Sequence, residues 1–227
     1  MSKGLFVVIE GTDGSGKGTQ HELLCARLRR ENIAIETVDF PRYNEPSSYF
    51  IQQYLNGNYG DVDSVSAKQT SLFYALDRFA ANPQIKVALQ QGRAVVANRF
   101  TSSNMAFQGA KVSDKEQRQQ LFAWLDELEH DILEIPRPNL VIVLSLPAKI
   151  AQQNVGKKQA RSYTTLKHDI HEANLDFLER TITTYDELCA LFPEQYTQIN
   201  CMQNTTTMKS INEIHDDIWQ LVQAKLP

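Results

Sequence analysis

Five short apolar runs, at 5–9, 33–38, 93–97, 140–146 and 196–200, punctuate a chain of 227 residues. Each is rich in Val, Ile or Leu, as strands buried on both faces of a parallel sheet are. Between the runs, apolar residues recur at helical spacing and predict helices over 17–30, 66–91, 114–133, 147–155, 169–190 and 209–225. Gly92 closes one helix before Arg93-Ala94-Val95-Val96, and Pro136 and Pro138 interrupt the chain before Leu140. Strand and helix signals that alternate in this way predict an α/β fold, a five-stranded parallel sheet with helices on both faces. No repeat, low-complexity tract or linker divides the chain, so one domain over 1–227 is expected. The polar, basic segment at about 154–168 reads as a lid over a site.

Bulk composition narrows the classes of partner. A net charge of -4 and a pI near 5.8 argue against binding nucleic acid through phosphate neutralisation. A phosphate site in such a chain has to be a local basic cluster. No segment approaches the roughly 18 apolar residues that span a bilayer, so no membrane partner is expected. Met1-Ser2-Lys3-Gly4 leads directly into the first strand run, without the pattern of a signal peptide. Cys25, Cys189 and Cys201 are widely spaced and form no C-x-x-C pair, which fits reduced thiols and a cytoplasmic protein.

The first strand run, Leu5-Phe6-Val7-Val8-Ile9, breaks into Gly11-Thr12-Asp13-Gly14-Ser15-Gly16-Lys17-Gly18-Thr19. Leu23, Leu24 and Leu28 then recur at helical spacing. Small residues let backbone N–H groups converge on a phosphate chain, Lys17 adds a point charge, and the helix N-terminus adds its partial positive end. The stretch reads as a P-loop for a nucleotide. The strict pattern has Ser or Thr after the lysine, where a hydroxyl reaches Mg²⁺. Gly18 stands there, which leaves Thr19 as the candidate metal-facing hydroxyl.

Four further segments carry candidate chemistry. In Asp39-Phe40-Pro41-Arg42-Tyr43, a proline fixes the backbone before an arginine whose planar fork suits a second phosphate. In Leu72-Phe73-Tyr74-Ala75-Leu76-Asp77-Arg78, Tyr74 and Arg78 share one helix face, so an aromatic plane and a guanidinium can meet a base and its edge. The strand run ending in Val95-Val96-Ala97 gives way to Asn98-Arg99-Phe100 at the carboxyl edge of the sheet, where open α/β sheets bind ligands. Ser103, Asn104 and Phe107 follow. Gly156-Lys157-Lys158-Gln159-Ala160-Arg161, with Lys167 beyond it, can close on a triphosphate. Taken singly, each segment has a plainer reading as a solvated loop or a packed helix; their joint spacing is the stronger signal.

In register from the P-loop through Phe40-Pro41-Arg42-Tyr43, Leu76-Asp77-Arg78, Asn98-Arg99-Phe100 and Ser103-Asn104, the chain resembles the thymidylate kinase family, one of the nucleoside monophosphate kinases. The resemblance covers most of residues 5–175. It implies transfer of the γ-phosphoryl of ATP to dTMP, giving dTDP and ADP in deoxynucleotide biosynthesis, with ATP and Mg²⁺ bound and a homodimer as the assembly. It further implies that Gly11, Asp13, Gly14, Ser15, Gly16, Lys17, Gly18 and Thr19 hold the ATP phosphates. Asp13 faces the acceptor's 3′-hydroxyl, Arg42 and Arg99 clamp the monophosphate, and Tyr74 stacks on thymine. Arg78, Ser103 and Asn104 meet the base edge, and Phe107 crowds the sugar. Lys17, Arg99, Arg161 and Asp13 are the expected catalytic set, with Arg161 chosen because Gly14 occupies the place where some members carry an arginine. Lys157 and Lys158 are supporting or alternative donors, and Asp169 and Glu172 fall where lid carboxylates orient the closed loop.

Two departures touch metal handling: Asn98 stands where the family usually has Asp, and Gly18 lacks a hydroxyl. Two other functions stay open, the first because it shares the architecture and the second because of these departures. A deoxynucleoside kinase would phosphorylate a 5′-hydroxyl and need fewer phosphate-gripping arginines than Arg42 and Arg99 supply. A catalytically impaired nucleotide-binding regulator would bind nucleotides without releasing ADP. No Ser/His/Asp arrangement surrounds His21, His168 or His171, as expected for an acceptor that is already an anion and needs no strong base.

Overall fold

The structure is a computed structural model that describes residues 4–155 and 175–226. In chain order its elements are β1 (Phe6–Gly11), α1 (Lys17–Arg30), β2 (Ile35–Asp39), a 3-10 turn (Pro46–Ser48), α2 (Tyr49–Leu55), α3 (Ala67–Gln90), β3 (Ala94–Asn98), α4 (Thr101–Gly109) and α5 (Lys115–Asp126). A π-turn (Glu127–Ile132), β4 (Leu140–Ser145), α6 (Ala148–Val155), α7 (Leu175–Leu191), β5 (Tyr196–Asn200) and α8 (Ile211–Gln223) complete it. The strands pair in the order β2-β3-β1-β4-β5, and every pairing is parallel.

Alternation along β1 divides the core in two. Phe6 and Val8 enter a layer with Ile85, Phe107, Leu125, Phe177 and Tyr185, so α3, α4, α5 and α7 cover that face. Val7 and Ile9 enter the opposite layer with Leu24, Leu28, Ile218 and Trp219, under α1 and α8. Full burial of one such side chain is worth about 1.5–3 kcal/mol, and this two-sided burial is what drives the short apolar runs into the centre. Trp219 packs in the second layer with the Arg27 guanidinium 4.2 Å above its ring, and Trp124 packs partly buried against the first.

Helix starts follow their caps. Ser66 accepts from the Gln69 N–H in a capping box, Ser210 does the same with Glu213, and Asp114 accepts from Gln117. The predicted helix 114–133 is in fact α5 followed by the π-turn, whose extra residue re-aims the side chains after Asp126. Two helices lie where none was expected. The short α2 is one. The other is α4, which starts directly after the β3 edge and has every residue but Ser103 buried. The predicted start of the helix at 169 falls outside the described residues, and α7 is described from Leu175.

β1 sits at the centre, with β3 on one side and β4 on the other. Ile9 is level with Asn98, Asn98 with Asp39, and Gly11 with Leu144. The carboxyl ends of β1, β2 and β3 therefore form one edge, where the chain direction changes and a crevice opens.

Candidate active site

The P-loop leaves β1 at Gly11 and enters α1 at Lys17. Gly14 and Gly16 both hold positive φ, 83° and 93°, a backbone region open to glycine at little cost. A Cβ on Gly14 would lie 2.0 Å from the Ala151 carbonyl oxygen of α6. Asn154 of α6 also donates to the Gly14 carbonyl at 3.0 Å. α6 is thus packed directly on the loop, and no side chain fits at position 14. Lys17 is almost fully buried; its Nζ donates to the Thr12 carbonyl at 2.9 Å and lies 3.7 Å from the Asp13 carboxylate. The Thr12 and Ser15 hydroxyls are buried without a partner among the described residues. Around Gly18 a Cβ would meet no atom of the described residues within 4 Å.

Opposite the loop, β3 turns into α4 through Arg99, whose φ of 63° is unusual for a side-chain-bearing residue. Its Nη2 donates to Asp13 at 2.9 Å, and Nη1 donates to the Gly11 carbonyl and to Ser103 Oγ. Its guanidinium lies 5.1 Å from the Phe107 ring centre. Desolvation opposes the charge on Arg99, but Asp13, Tyr185 and Glu10 outweigh it and hold its pKa above the ordinary value. The corner is fixed from beneath by Glu10, fully buried on β1. Its Oε1 accepts from the Phe100 and Ser103 N–H groups and the Ser102 hydroxyl. Its Oε2 accepts from the Ser103 and Tyr185 hydroxyls. Burial, with Glu10 alongside, pushes the Tyr185 pKa well up, so that its hydroxyl stays a donor.

A second set of groups gathers between α3, α4 and the loop after β2. Asp77 accepts from the Arg42 N–H at 2.8 Å and from its Nε at 3.1 Å, while Arg42 Nη2 donates to Ser47. Tyr74 packs partly buried against Ile51, Tyr54, Leu55 and Val65. One turn on, Arg78 lies buried in a two-point pair with Glu129, at 2.5 Å from Nε and 2.6 Å from Nη2. Asn104 donates to Glu129 at 3.0 Å and to the Ser71 carbonyl at 3.1 Å. Its Oδ1 and both amide atoms of Gln108, one turn further along α4, are buried with no partner among the described residues. Buried polar atoms are rarely left unpaired, and here three of them lie one turn apart on α4.

A glycine-rich loop tied through Arg99 to the start of α4 restricts the families that fit. A sequence profile of the thymidylate kinase family matches residues 9–218. The chain belongs to the thymidylate kinase family. A probable thymidylate kinase of Thermococcus gammatolerans is 30% identical over 227 residues, covering 98% of this chain and 98% of that protein. The thymidylate kinase of Mycobacterium tuberculosis (strain ATCC 25618 / H37Rv) is 29% identical over 187 residues, covering 82% of this chain and 86% of that one. A solved thymidylate kinase from Candida albicans superposes with a TM-score of 0.74 at 20% identity, over 99% of this chain and 93% of that chain; it shares the fold.

Within the family frame, the structure brings Lys17, Asp13, Arg99, Ser103 and Phe107 together on one side of the crevice. Arg78 and Asn104 meet through Glu129 on the other. Arg161, Lys157, Lys158, Asp169 and Glu172 lie outside the described residues. Ser103 is engaged by Glu10, Arg99 and Tyr185 rather than left open to a base. Four residues emerge here that the sequence reading did not single out for a role: Glu10, Asp77, Gln108 and Glu129. At the β3 edge, Asn98 Nδ2 donates to Asp39 at 3.0 Å while Asn98 Oδ1 is buried and unpartnered. A carboxylate therefore stands one strand away from Asn98. Desolvation raises its pKa, against the pull of Asn98, His21, Arg99 and Lys17.

Proposed function

We propose that this chain, acting as one domain, transfers the γ-phosphoryl group of ATP to the 5′-phosphate of dTMP. A dTMP phosphate oxygen bonds to the γ-phosphorus as the bridging oxygen departs with its electron pair, giving dTDP and ADP. The relatives' names point to this reaction, and the Asp13–Arg99 pair supports it most directly. That pair ties the loop that grips ATP to the helix that bears the base pocket, with a cation between the two. The acceptor is already an anion, so the residues act by positioning and neutralising charge. Lys17 and the loop N–H groups hold the β- and γ-phosphates; Arg99 spans donor and acceptor; Arg42, steadied by Asp77, grips the acceptor phosphate. The space above Tyr74 takes the pyrimidine. The thymine methyl separates dTMP from dUMP by only about 1–3 kcal/mol in an apolar pocket, so dUMP is a weaker substrate and not an excluded one.

Oxygen donors of the hard type Mg²⁺ takes are the exposed Thr19 in the first turn of α1 and the Asp39 carboxylate at the β2 edge. When bound, the ion offsets charge on the ATP phosphates. With Gly14 closed to any side chain by α6, a further cation has to come from elsewhere, and Arg161 is the residue proposed for it. The reaction is tested by ³¹P NMR of the protein with MgATP and dTMP. The expected result is growth of dTDP and ADP β-phosphate resonances together; ATP loss without dTDP would refute the assignment.

The functional unit is proposed to be a homodimer. Leu72, Leu76, Phe79 and Val87 stand about half exposed along α3, at spacings that place them on one side of the helix. A second copy of the same helix would bury that stripe, as a two-fold contact requires. Light scattering after gel filtration should give twice the chain mass, and Phe79→Asp should shift the mass towards that of one chain. No helix among the described residues is long and apolar enough to cross a membrane. The three cysteines are free, with their pKa values pushed by burial to about 11, which accords with work in a reducing cytoplasm.

A further inference from the structure

A buried carboxylate from a distant part of the chain holds both base-facing side chains, and its geometry dictates more than their placement. Glu129 is 1% exposed and sits on the π-turn, 51 residues from Arg78 and 25 from Asn104. It takes two N–H groups of Arg78, at Nε and Nη2, which leaves Nη1 as the free arm of the fork. The same carboxylate accepts from Asn104, whose other partner is the Ser71 carbonyl. Both partners can only accept, so Asn104 must turn its NH₂ towards them. Its Oδ1 is then forced to the opposite side, where it is buried and unpartnered. Asn104 itself is 2% exposed, so this is an unmet acceptor held in place and not a surface amide free to turn. Gln108 differs: neither of its amide atoms has a partner, so its amide can adapt to either polarity.

We infer that Glu129 is a positioning residue that sets the hydrogen-bond polarity of the base pocket, one donor from Arg78 beside one acceptor from Asn104, and so selects 4-oxo pyrimidines over cytosine. The inference rests on the dTMP reading and adds to it the group that enforces the choice. Thymine and uracil offer a carbonyl at O4 and an N–H at N3, which match a donor and an acceptor. Cytosine offers an amino group and a bare ring nitrogen, and mismatches both. Glu129 touches no substrate; it acts through the two side chains that do.

A site built to hydrogen-bond one edge rejects the wrong one by about 10⁴-fold or more, since buried polar groups are left facing like groups. Glu129→Gln keeps the shape but supplies an NH₂ that can face Asn104, which frees that amide to turn over. The test is kcat and KM for dTMP and dCMP in the wild type, Glu129→Gln and Asn104→Ala, with the KM for ATP in each. The ratio of kcat/KM for dTMP over dCMP should fall at least about tenfold in both variants. The loss for dTMP should appear in KM, and the KM for ATP should stay as in the wild type. A folded Glu129→Gln that loses activity on both nucleotides equally, with the ratio kept, overturns the inference. If Glu129→Gln does not fold, Glu129→Asp decides: its shorter carboxylate cannot reach Arg78 and Asn104 together, so a retained wild-type ratio overturns the inference, and a fallen ratio with the KM for ATP unchanged supports it. A wild type inert towards dTMP sinks the thymidylate reading itself, whereas turnover with unchanged ratios sinks only the role of Glu129.

Discussion

Removing the Glu10 carboxylate should loosen the corner that presents Arg99, and the size of the effect follows from who loses a partner. Glu10 accepts five hydrogen bonds from the described residues. Two come from the backbone N–H groups of Phe100 and Ser103, which cannot turn to other acceptors. An unsatisfied buried donor costs about 1–3 kcal/mol, and truncation to Ala also leaves a cavity. Arg99 meanwhile holds a positive φ, a strain of about 1–3 kcal/mol that persists only while its surroundings enforce it. Glu10→Ala should therefore cost about 4 kcal/mol or more. Glu10→Gln keeps one acceptor oxygen for the N–H groups, while the Ser103 and Tyr185 hydroxyls can rotate to accept from its NH₂. It loses only the added strength of bonds to a charge, about 1–2 kcal/mol. Urea unfolding followed by circular dichroism at 25 °C measures both, and kcat for the folded Gln variant reports whether Arg99 has moved. An Ala variant within about 1 kcal/mol of the wild type would refute the reasoning, as would a Gln variant no better than Ala.

Gly14→Ala should destabilise by about 2 kcal/mol or more, since its Cβ would meet the Ala151 carbonyl at 2.0 Å in a left-handed backbone; urea unfolding checks this, and wild-type stability would show that α6 yields easily. Lys111, its ammonium bonded to the Val65 carbonyl and Thr70 Oγ1, has its pKa lowered to about 8 from 10.5 by desolvation. Between those values the unfolded chain binds the proton and the folded one does not, so Lys111 favours folding more as pH rises through that window. The stability of the wild type minus that of Lys111→Met should accordingly climb from pH 8 to pH 10, and a flat difference would show that the lysine stays charged.

The sheet was legible because its strands are buried on both faces, which leaves short runs of Val, Ile and Leu with no polar alternation to confuse them. The P-loop was legible for a related reason, as its glycines and Lys17 sit where backbone geometry and phosphate charge demand them. α4 was not, because a helix buried on nearly every side has no polar face to give a period, and Thr101-Ser102-Ser103-Asn104 reads as a turn. Glu129 lies in a strongly polar stretch, Glu127-Leu128-Glu129-His130-Asp131, and pairs with residues far along the chain. A signal existed: Leu121 and Leu125 are buried, and one more step of four reaches Glu129, an acid on an apolar stripe. Glu10 carried the same kind of mark, a charge at the end of an apolar strand run. Asn98 looked like a lost carboxylate when read along one strand; the register that sets Asp39 level with it appears only once β2 and β3 are paired.

The central claim is a phosphoryl transfer from ATP to the phosphate of dTMP, and ADP release across a substrate panel tests it most directly. The panel is dTMP, dUMP, dCMP, dGMP, AMP and thymidine, each with MgATP. Turnover led by dTMP is expected, with dUMP behind it by a modest factor and thymidine inert. Turnover on thymidine alone would contradict it in favour of a nucleoside kinase, and dTMP binding without any ADP would contradict it in favour of a nucleotide-binding protein that does not turn over.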